Sequence, residues 1–441
     1  MPMVESTLEQ RKSPQVFKEW EQRIRQITAC RICGNARLTP VVDLGSQCLA
    51  SLFDDGRPEN QMKTPVPLKV VRCDPDENAQ ACRFVQLTHT VPPDVLYNDY
   101  GYRSSINTTM RHHLQGLTRD VESRIPLRQG DIVVDIGAND GVTLLAYQAS
   151  GLVRVGFEPS NIRPQQPDHG LVYIPACFNA ADFRLRFPQQ KARVITSIAM
   201  FYDLDDPGQC CRDLHEVLSD DGLWVVEMSY LGAMLDHDSF DAICHEHLGY
   251  YSLRTLQHIT REAGFAFHDI AFNDANGGSI RCYLKKDRPT LQVPAESQQR
   301  IDQALRAEDA KGYHDPKTFG LFDQGVRGIK KALTETLETV RAAGKRIYGY
   351  GASTKGNVLL QYAGIGPQHL VAIADRNPAK VGRCTLGTGI RICSEEEMRQ
   401  ARPEYLLILP WHFLDEFMER ERALRASGTK LIVPFPRVRI V

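Results

Sequence analysis

The stretch Val133-Val134-Asp135-Ile136-Gly137-Ala138-Asn139-Asp140-Gly141 decides the fold. Its apolar half reads as a buried strand, its glycines as a tight turn, and residues 142–147 as the helix that follows. The pattern is D-x-G-x-x-x-G rather than G-x-G-x-x-G, which disfavours a dinucleotide. It suits S-adenosylmethionine (SAM), which has no phosphates to cradle and needs backbone that approaches closely at Gly137 and Gly141. One strand later, Val155-Gly156-Phe157-Glu158-Pro159 ends in a carboxylate placed to accept both ribose hydroxyls. The competing reading is a plain turn glycine and a surface glutamate. The cofactor set expected is therefore Asp135, Gly137, Asn139, Gly141 and Glu158, with Ser197 from a later strand end. Asp182 is a weaker candidate for the adenine, since an Asp there is more often a helix-start residue.

Outward from this loop, strand-like and helix-like segments alternate: DIVVDIG (131–137), VRVGFEP (153–159), LVYIPA (171–176), RVITSIA (193–199), LWVVEMS (223–229) and SIRCYLKK (279–286). That alternation predicts a doubly wound α/β sheet within 91–294. A helix is expected over 105–117, where Met110, Leu114 and Leu117 share a face. A second α/β pattern starts near 345 with RIYGYG, LVAIAD, YLLILP and KLIVPFP, giving a Rossmann-like domain at 344–441. Residues 295–343 are charged and helix-prone and read as a helical connector. Residues 29–90 are short-stranded and turn-rich (PVVDLG, PLKVVRC, CRFVQLTH), and residues 1–28 carry a weak helical pattern through Val16, Phe17, Trp20, Ile24 and Ile27.

In that front stretch Cys30-Arg-Ile-Cys33 is a C-x2-C pair, followed about forty residues later by Cys73 and Cys82 around an acidic insert. Four thiolates close a tetrahedral zinc site and leave no open position, so the metal expected is structural. The rivals are a redox CxxC or unrelated core cysteines. A redox motif opens a helix after a strand, whereas this pair sits in a polar turn.

Cys244-His245-Glu246-His247-Leu248 lacks the H-E-x-x-H spacing of a zinc protease, because position 249 is Gly. Read as extended chain, it puts His245 and His247 on one face and Glu246 on the other. An imidazole beside a carboxylate suits proton transfer, and hydrogen-bonded structural histidines are the bland alternative. The loop Tyr348-Gly349-Tyr350-Gly351-Ala352-Ser353-Thr354-Lys355-Gly356-Asn357 leads into a helix, so backbone N–H groups with Ser353, Thr354 and Lys355 form an anion cradle. Asp375 ends the next strand, and Trp411-His412 follow YLLILP where a ligand sits beyond strand ends. A structural α/β turn is the alternative, and a diphosphate-bearing substrate fits best.

The whole chain of 441 residues has 53 Lys+Arg against 54 Asp+Glu, a net charge of −1. That balance argues against nucleic acid as the main partner. No apolar run is long enough to span a bilayer, and no export signal opens the chain. A cytoplasmic protein with reduced thiols, without membrane association, is expected.

These pieces in this order resemble the SAM-dependent nucleotide-sugar C-methyltransferases of deoxysugar biosynthesis, of the nucleoside-diphosphate-4-keto-sugar C-3′ type. The resemblance rests on CRICGN, PVVDLGSQCLA, DIGANDG, ICHEHLGYYSL, NGGSIRCYL and GYGASTKGNVLLQYAGI and covers nearly the whole chain from Cys30. It implies an N-terminal zinc module bound by Cys30, Cys33, Cys73 and Cys82, a central class I SAM methyltransferase domain, and a C-terminal Rossmann-like domain that helps hold the sugar nucleotide. It implies His247 as base, with Glu246 beside it, Tyr102 near the sugar, and His245 or Tyr102 holding enolate charge. Cys244, Ser353, Thr354, Lys355, Asn357, Asp375, Trp411 and His412 are the substrate-side set. Two pocket positions depart from the family pattern: Cys244 stands where the family has Tyr, and the family's Asn-Val-Leu-Ala-His strand end is replaced by the segment Ser197-Ile-Ala-Met-Phe-Tyr-Asp203. The expected form is a monomer or weak homo-oligomer. The rival functions are O- or N-methylation of a sugar or other diphosphate metabolite, a non-catalytic partner subunit, and a zinc-ribbon nucleic-acid methyltransferase.

Overall fold

A computed structural model describes residues 20–56, 63–75, 81–97, 103–164 and 170–441. Tyr100, Tyr102 and most of the N-terminal extension lie outside them. The centre is a seven-stranded sheet in the order Phe265–Asn273, Ser279–Lys286, Leu218–Ser229, Ala192–Ile198, Ile132–Ile136, Val153–Phe157, Leu171–Ile174. The last five strands are parallel, and the first two run antiparallel at one edge. Every residue of Ile132–Ile136 is buried, as a parallel strand covered on both faces must be. Strand order reverses between Ile132–Ile136 and Ala192–Ile198, so a crevice opens at their carboxyl ends. All six expected strands are present. The edge strand Phe265–Asn273 was not among the expected segments, because His268 and Asp269 interrupt its apolar alternation.

The rear sheet repeats the principle. Its order is Ile392–Ser394, Ile373–Asp375, Ile347–Tyr350, Tyr405–Ile408, Lys430–Val433, Arg439–Ile440, with the reversal beside Ile347–Tyr350. Between the two sheets the chain forms two helices, Ala295–Lys311 and Pro316–Ala342. The second starts with Asp315 accepting from Lys317 N and Pro316 in the first turn, which suits a helix N-terminus. It buries Phe319, Phe322, Val326, Ile329, Leu333, Leu337 and Val340, a stripe at three- and four-residue spacing. Each such side chain contributes about 1.5–3 kcal/mol. The stripe joins one apolar core with Val41, Leu68, Phe240, Leu359 and Ile373, and so ties front, middle and rear together. The first helix is pinned by buried Glu308, which accepts from Leu253 N (2.6 Å), Arg254 N (3.1 Å) and the Tyr230 hydroxyl (2.7 Å). A carboxylate there also complements the N-terminus of helix Leu253–Glu262.

The front sheet is antiparallel, in the order Gly249–Tyr250, Val85–Leu87, Val66–Cys73, Leu38–Gln47. Its first strand comes from far along the chain, directly after the His-Glu-His segment. The helical pattern expected through Trp20–Ile27 is not realised: a single 3-10 turn spans Trp20–Arg23, and Arg25–Gln26 pairs with His89–Thr90 as a strand. Burial of Trp20 with Leu49, Val66, Val91 and Val95 overrides the local propensity.

The Gly249–Tyr250 strand is where the central lobe is stitched to the front sheet. A Cβ at Gly249 would run into the Phe84 ring and come within 2.9 Å of Tyr251 Cε2. Overpacking of this kind costs about 1–3 kcal/mol. Gly249→Ala is therefore expected to lower the midpoint of chemical unfolding by that amount and to slow turnover, because His247 lies two residues upstream; equilibrium denaturation and steady-state assay check both.

Candidate active site and metal centre

In the front module Cys30 and Cys33 flank a tight turn closed by Gly34 N to Cys30 O at 2.9 Å, with Gly34 at φ +71°. Cys73 ends the strand Val66–Cys73, and Cys82 returns from the insert. The four sulfurs lie within 4.8 Å of one another, with Cys30 to Cys82 at 3.4 Å and Cys33 to Cys73 at 3.5 Å. A tetrahedron with Zn–S of about 2.3 Å has edges of about 3.8 Å. These spacings are far longer than a disulfide, and all four cysteines are free. Asn35 Nδ2 lies 3.4 Å from Cys73 Sγ and donates to Asp74 O at 2.8 Å, an outer contact of the sort that orients metal ligands. The donor set fits structural zinc.

At the carboxyl ends of the central and rear sheets lies one cavity of about 510 Å³. One end of it is built by the first glycine loop. Gly137 (φ +71°) faces Met200, whose side chain a Cβ would meet at 3.3 Å, and Gly141 (φ +79°) would set a Cβ 2.7 Å from the Tyr173 hydroxyl. Asn139 takes the left-handed region at φ 49°, which Asn tolerates. The Glu158 carboxylate accepts from Asn139 N at 2.7 Å and Ser160 N at 2.8 Å, so the second-strand acid is fixed against the loop. Asp135 accepts from the Thr196 hydroxyl at 2.5 Å. Burial lifts its carboxyl to about 7, and nearby Glu158 adds to the lift against hydrogen bonds from Thr196 and Thr143. Ser104 N and Ser105 N donate to Asn139 and Asp140, both at 3.1 Å, which folds the segment before helix Thr108–Arg124 over the loop. Ser104, Asn107, Met110 and Leu114 consequently line the cavity, a contribution the helical pattern alone did not assign to the site.

The other end carries His247. Its Nδ1 lies 2.7 Å from Ala242 O. A carbonyl only accepts, so Nδ1 carries the proton and Nε2 keeps its lone pair. Burial, and then the Lys355 charge, push His247 down to about 3, so the ring is neutral at ordinary pH. The Tyr202 ring packs against it at 4.2 Å between centroids. Cys244 and Glu246 line the same wall. Burial raises both groups, and Glu246 Oε2 has no hydrogen-bond partner among the described residues. Alternation along an extended chain fails here. His247 N bonds Cys244 O at 3.1 Å, a turn that brings Glu246 and His247 to one side. His245 goes to the other, its Nε2 3.1 Å from Val66 O. His245 therefore does not line the cavity.

Asp203 does line it, beyond the altered strand end, and was not among the expected site residues. Its Oδ1 is buried with no hydrogen-bond partner among the described residues, and burial, then the Glu246 charge, raise its carboxyl well above the ordinary range. The only sequence signal was the departure at 197–203. From the rear sheet come Ser353, Thr354, Lys355 and His412. Ser353 caps helix Thr354–Ala363 by accepting from Gly356 N at 3.0 Å.

The remaining expected residues lie elsewhere. Ser197 is buried within the strand Ala192–Ile198, where it accepts from Trp224 Nε1 at 3.1 Å, and does not line the cavity. Asp182 is in the first turn of helix Ala180–Arg186 and accepts from Asn179 Nδ2 at 2.7 Å. Asn357 donates to Ala50 O at 3.1 Å and joins rear to front. Asp375 accepts from Ala352 N and Asn377 N, both at 2.8 Å. Trp411 backs the wall, with Nε1 2.9 Å from Asp241 Oδ2.

Residues 30–97 match a family described as "Putative zinc binding domain", residues 110–270 a methyltransferase domain, and residues 274–436 a C-methyltransferase C-terminal domain. The C-methyltransferase NovU of Streptomyces niveus is 30% identical over 421 residues, 95% of this chain and 98% of that protein. Among solved structures, the 1,6-didemethyltoxoflavin-N1-methyltransferase of Burkholderia thailandensis with bound S-adenosylhomocysteine is 12% identical, covering 41% of this chain and 80% of that one at a TM-score of 0.31. The CcbJ methyltransferase of Streptomyces caelestis is 13% identical, covering 40% and 90% at a TM-score of 0.31. Fold, site and family matches together define a SAM-dependent methyltransferase carrying a structural zinc module. The chain belongs to the C-methyltransferase family that includes NovU.

Because four cysteines converge in the Cys30–Cys82 knuckle, at the edge of the apolar core, metal and folding are coupled there. Metal analysis should find one zinc per chain. Cys73→Ser is expected to lose it and to lower the melting temperature; a variant that melts like wild type without metal would contradict this centre.

Proposed function

We propose that the enzyme methylates carbon in a nucleotide-activated keto sugar, with His247 as the base. The observation that carries this reading is the hydrogen bond from His247 Nδ1 to Ala242 O, which leaves Nε2 as a lone pair on a ring lining the cavity shared with Asp135 and Glu158. A carbonyl acidifies the adjacent C–H, and Nε2 takes that proton. Asp203 and Glu246, each with a buried oxygen lacking a partner among the described residues, accept hydroxyl or amine hydrogens of the substrate and orient it. Thr354, Ser353 and the helix N-terminus beside them take the anionic end. Glu158 holds the ribose of SAM, and Asp135 faces its cationic portion. SAM, when bound, supplies an electrophilic methyl group to the carbanion.

A base in this role contributes about 10²–10⁴-fold. His247→Ala should lose turnover and the SAM-independent exchange of substrate C–H for deuterium, while binding SAM as wild type does. Exchange retained in the variant would remove the base assignment. Methyl gain by wild type with no exchange under any condition would favour oxygen or nitrogen as the acceptor.

Asp135 supplies a pH test. Its folded-state value of about 7 lies above that of an unfolded Asp, so the free protein takes up a proton there on folding. Its contribution to stability is therefore largest at low pH and falls as pH rises toward 7. A bound cation favours the carboxylate, so SAM affinity should climb as pH rises from 5.5 toward about 7 and flatten above it. Asp135→Asn should flatten the profile. Calorimetric titration across pH checks this, and a flat wild-type curve would contradict it.

A further inference from the structure

We propose that Lys355 is a catalytic residue whose ammonium holds the substrate carbonyl oxygen as negative charge develops there during proton removal by His247. The inference rests on the carbon-methylation reading above and assigns it a charge-stabilising group.

Proton abstraction beside a carbonyl moves an electron pair onto the carbonyl oxygen. The step therefore needs a donor aimed at that oxygen, in a site where water is excluded. One donor implied by the family resemblance, His245, is not aimed into the cavity. It is turned to the front sheet and bonded to Val66 O, and Tyr102 lies outside the described residues. Asp203 and Glu246 have raised carboxyls that, when neutral, can donate one hydrogen bond but bring no positive charge, and when ionised repel an oxyanion, and the Cys244 thiol is a weak donor. Arg25 reaches only the rim, where it is ion-paired with Asp205 at 2.5 Å.

Lys355 meets the requirement. It leaves the first turn of helix Thr354–Ala363 and crosses from the rear sheet to the central lobe, where Nζ donates to Asn276 O at 2.6 Å. An ammonium has three N–H donors, and this is its one hydrogen bond among the described residues, so two remain for a ligand. Both Lys355 and Asn276 line the cavity. Lys355 and His247 line the same cavity, and a chain of contacts links the amine to the carbonyl that holds the base. Gly277, next to Asn276, packs on Trp411, to which its Cβ would lie at 3.0 Å. Trp411 Nε1 bonds Asp241 Oδ2 at 2.9 Å, and the neighbouring Ala242 carbonyl holds His247 Nδ1. The same cation acts on His247 and His412, both pushed down by burial first and by Lys355 next. Burial keeps the base unprotonated, the Lys355 charge adds to that, and the same charge opposes the charge the base creates. An anchor for a diphosphate needs neither relation to His247.

The test uses the full-length zinc-loaded enzyme with S-adenosylhomocysteine and a nucleoside-diphosphate 4-keto-6-deoxyhexose in deuterated buffer, with exchange followed by NMR. Removing one oxyanion donor typically costs about 10²–10³ in rate. Lys355→Met and Lys355→Gln should lose exchange and kcat by that factor. Both should still bind S-adenosylhomocysteine, and thymidine diphosphate alone within about threefold of wild type. The acid limb of the exchange rate against pH should also move upward in both, because a neighbouring cation no longer disfavours the protonated imidazole. Exchange at the wild-type rate, with thymidine diphosphate binding weakened about tenfold or more, would overturn the proposal and make Lys355 a phosphate anchor. Methyl gain by wild type without any exchange would overturn the carbon-acid reading first, and this assignment with it.

Discussion

The hydrogen bond between His247 Nδ1 and the Ala242 carbonyl is the contact on which the site depends. It selects one tautomer, fixes the ring and leaves one nitrogen for chemistry. Nothing in the local sequence enforces it. The carbonyl is placed by the 3-10 turn Phe240–Ala242, whose Phe240 is buried against Tyr362 and Phe435. The ring is placed by the Cys244–His247 turn, and the chain after it is held by pairing of Gly249–Tyr250 with Val85–Leu87. The geometry of this turn is thus clamped between the rear core on one side and the front sheet on the other.

That clamp gives the zinc module a physical purpose. The front sheet is small, and the long helix Pro316–Ala342 covers only part of it. Four thiolates hold its base together, where Cys73 ends the very strand that pairs with Val85–Leu87. Rigidity reaches the His247 segment through ordinary strand pairing, and Asn357 to Ala50 with Gln361 to Cys48 carry the same stiffness into the rear sheet. Two order reversals, one in each α/β sheet, then face a common cavity. The central one offers left-handed glycines and fixed carboxylates, and the rear one a helix N-terminus and an amine.

Features encoded by neighbouring residues were legible in the sequence. Gly137 and Gly141 stand where backbone takes positive φ, the buried strand before them is a continuous apolar run, and the four cysteines have metal-ligand spacing. What depends on distant contacts was not legible. A period-two reading of Cys244–Leu248 presumes an extended strand, and a single turn there exchanges the places of His245 and Glu246. Asn357 and Asp375 are polar residues in a promising loop, yet both are occupied by backbone groups that only the tertiary fold supplies. Asp203 was visible as a departure from a family pattern, but its place on the cavity wall near Glu246 comes from the tertiary fold alone. The strand Gly249–Tyr250 is two residues long and acquires meaning only from its partner.

The central claim is that a carbon acid, not a hydroxyl or an amine, receives the methyl group. The most direct measurement is NMR of the product made from SAM labelled with ¹³C in its methyl group and a nucleotide keto sugar uniformly labelled in its ring. A one-bond carbon–carbon coupling between the new methyl and a ring carbon next to the carbonyl is the predicted result. A methyl signal without that coupling, at the shift of an O-methyl or N-methyl group, would contradict the account.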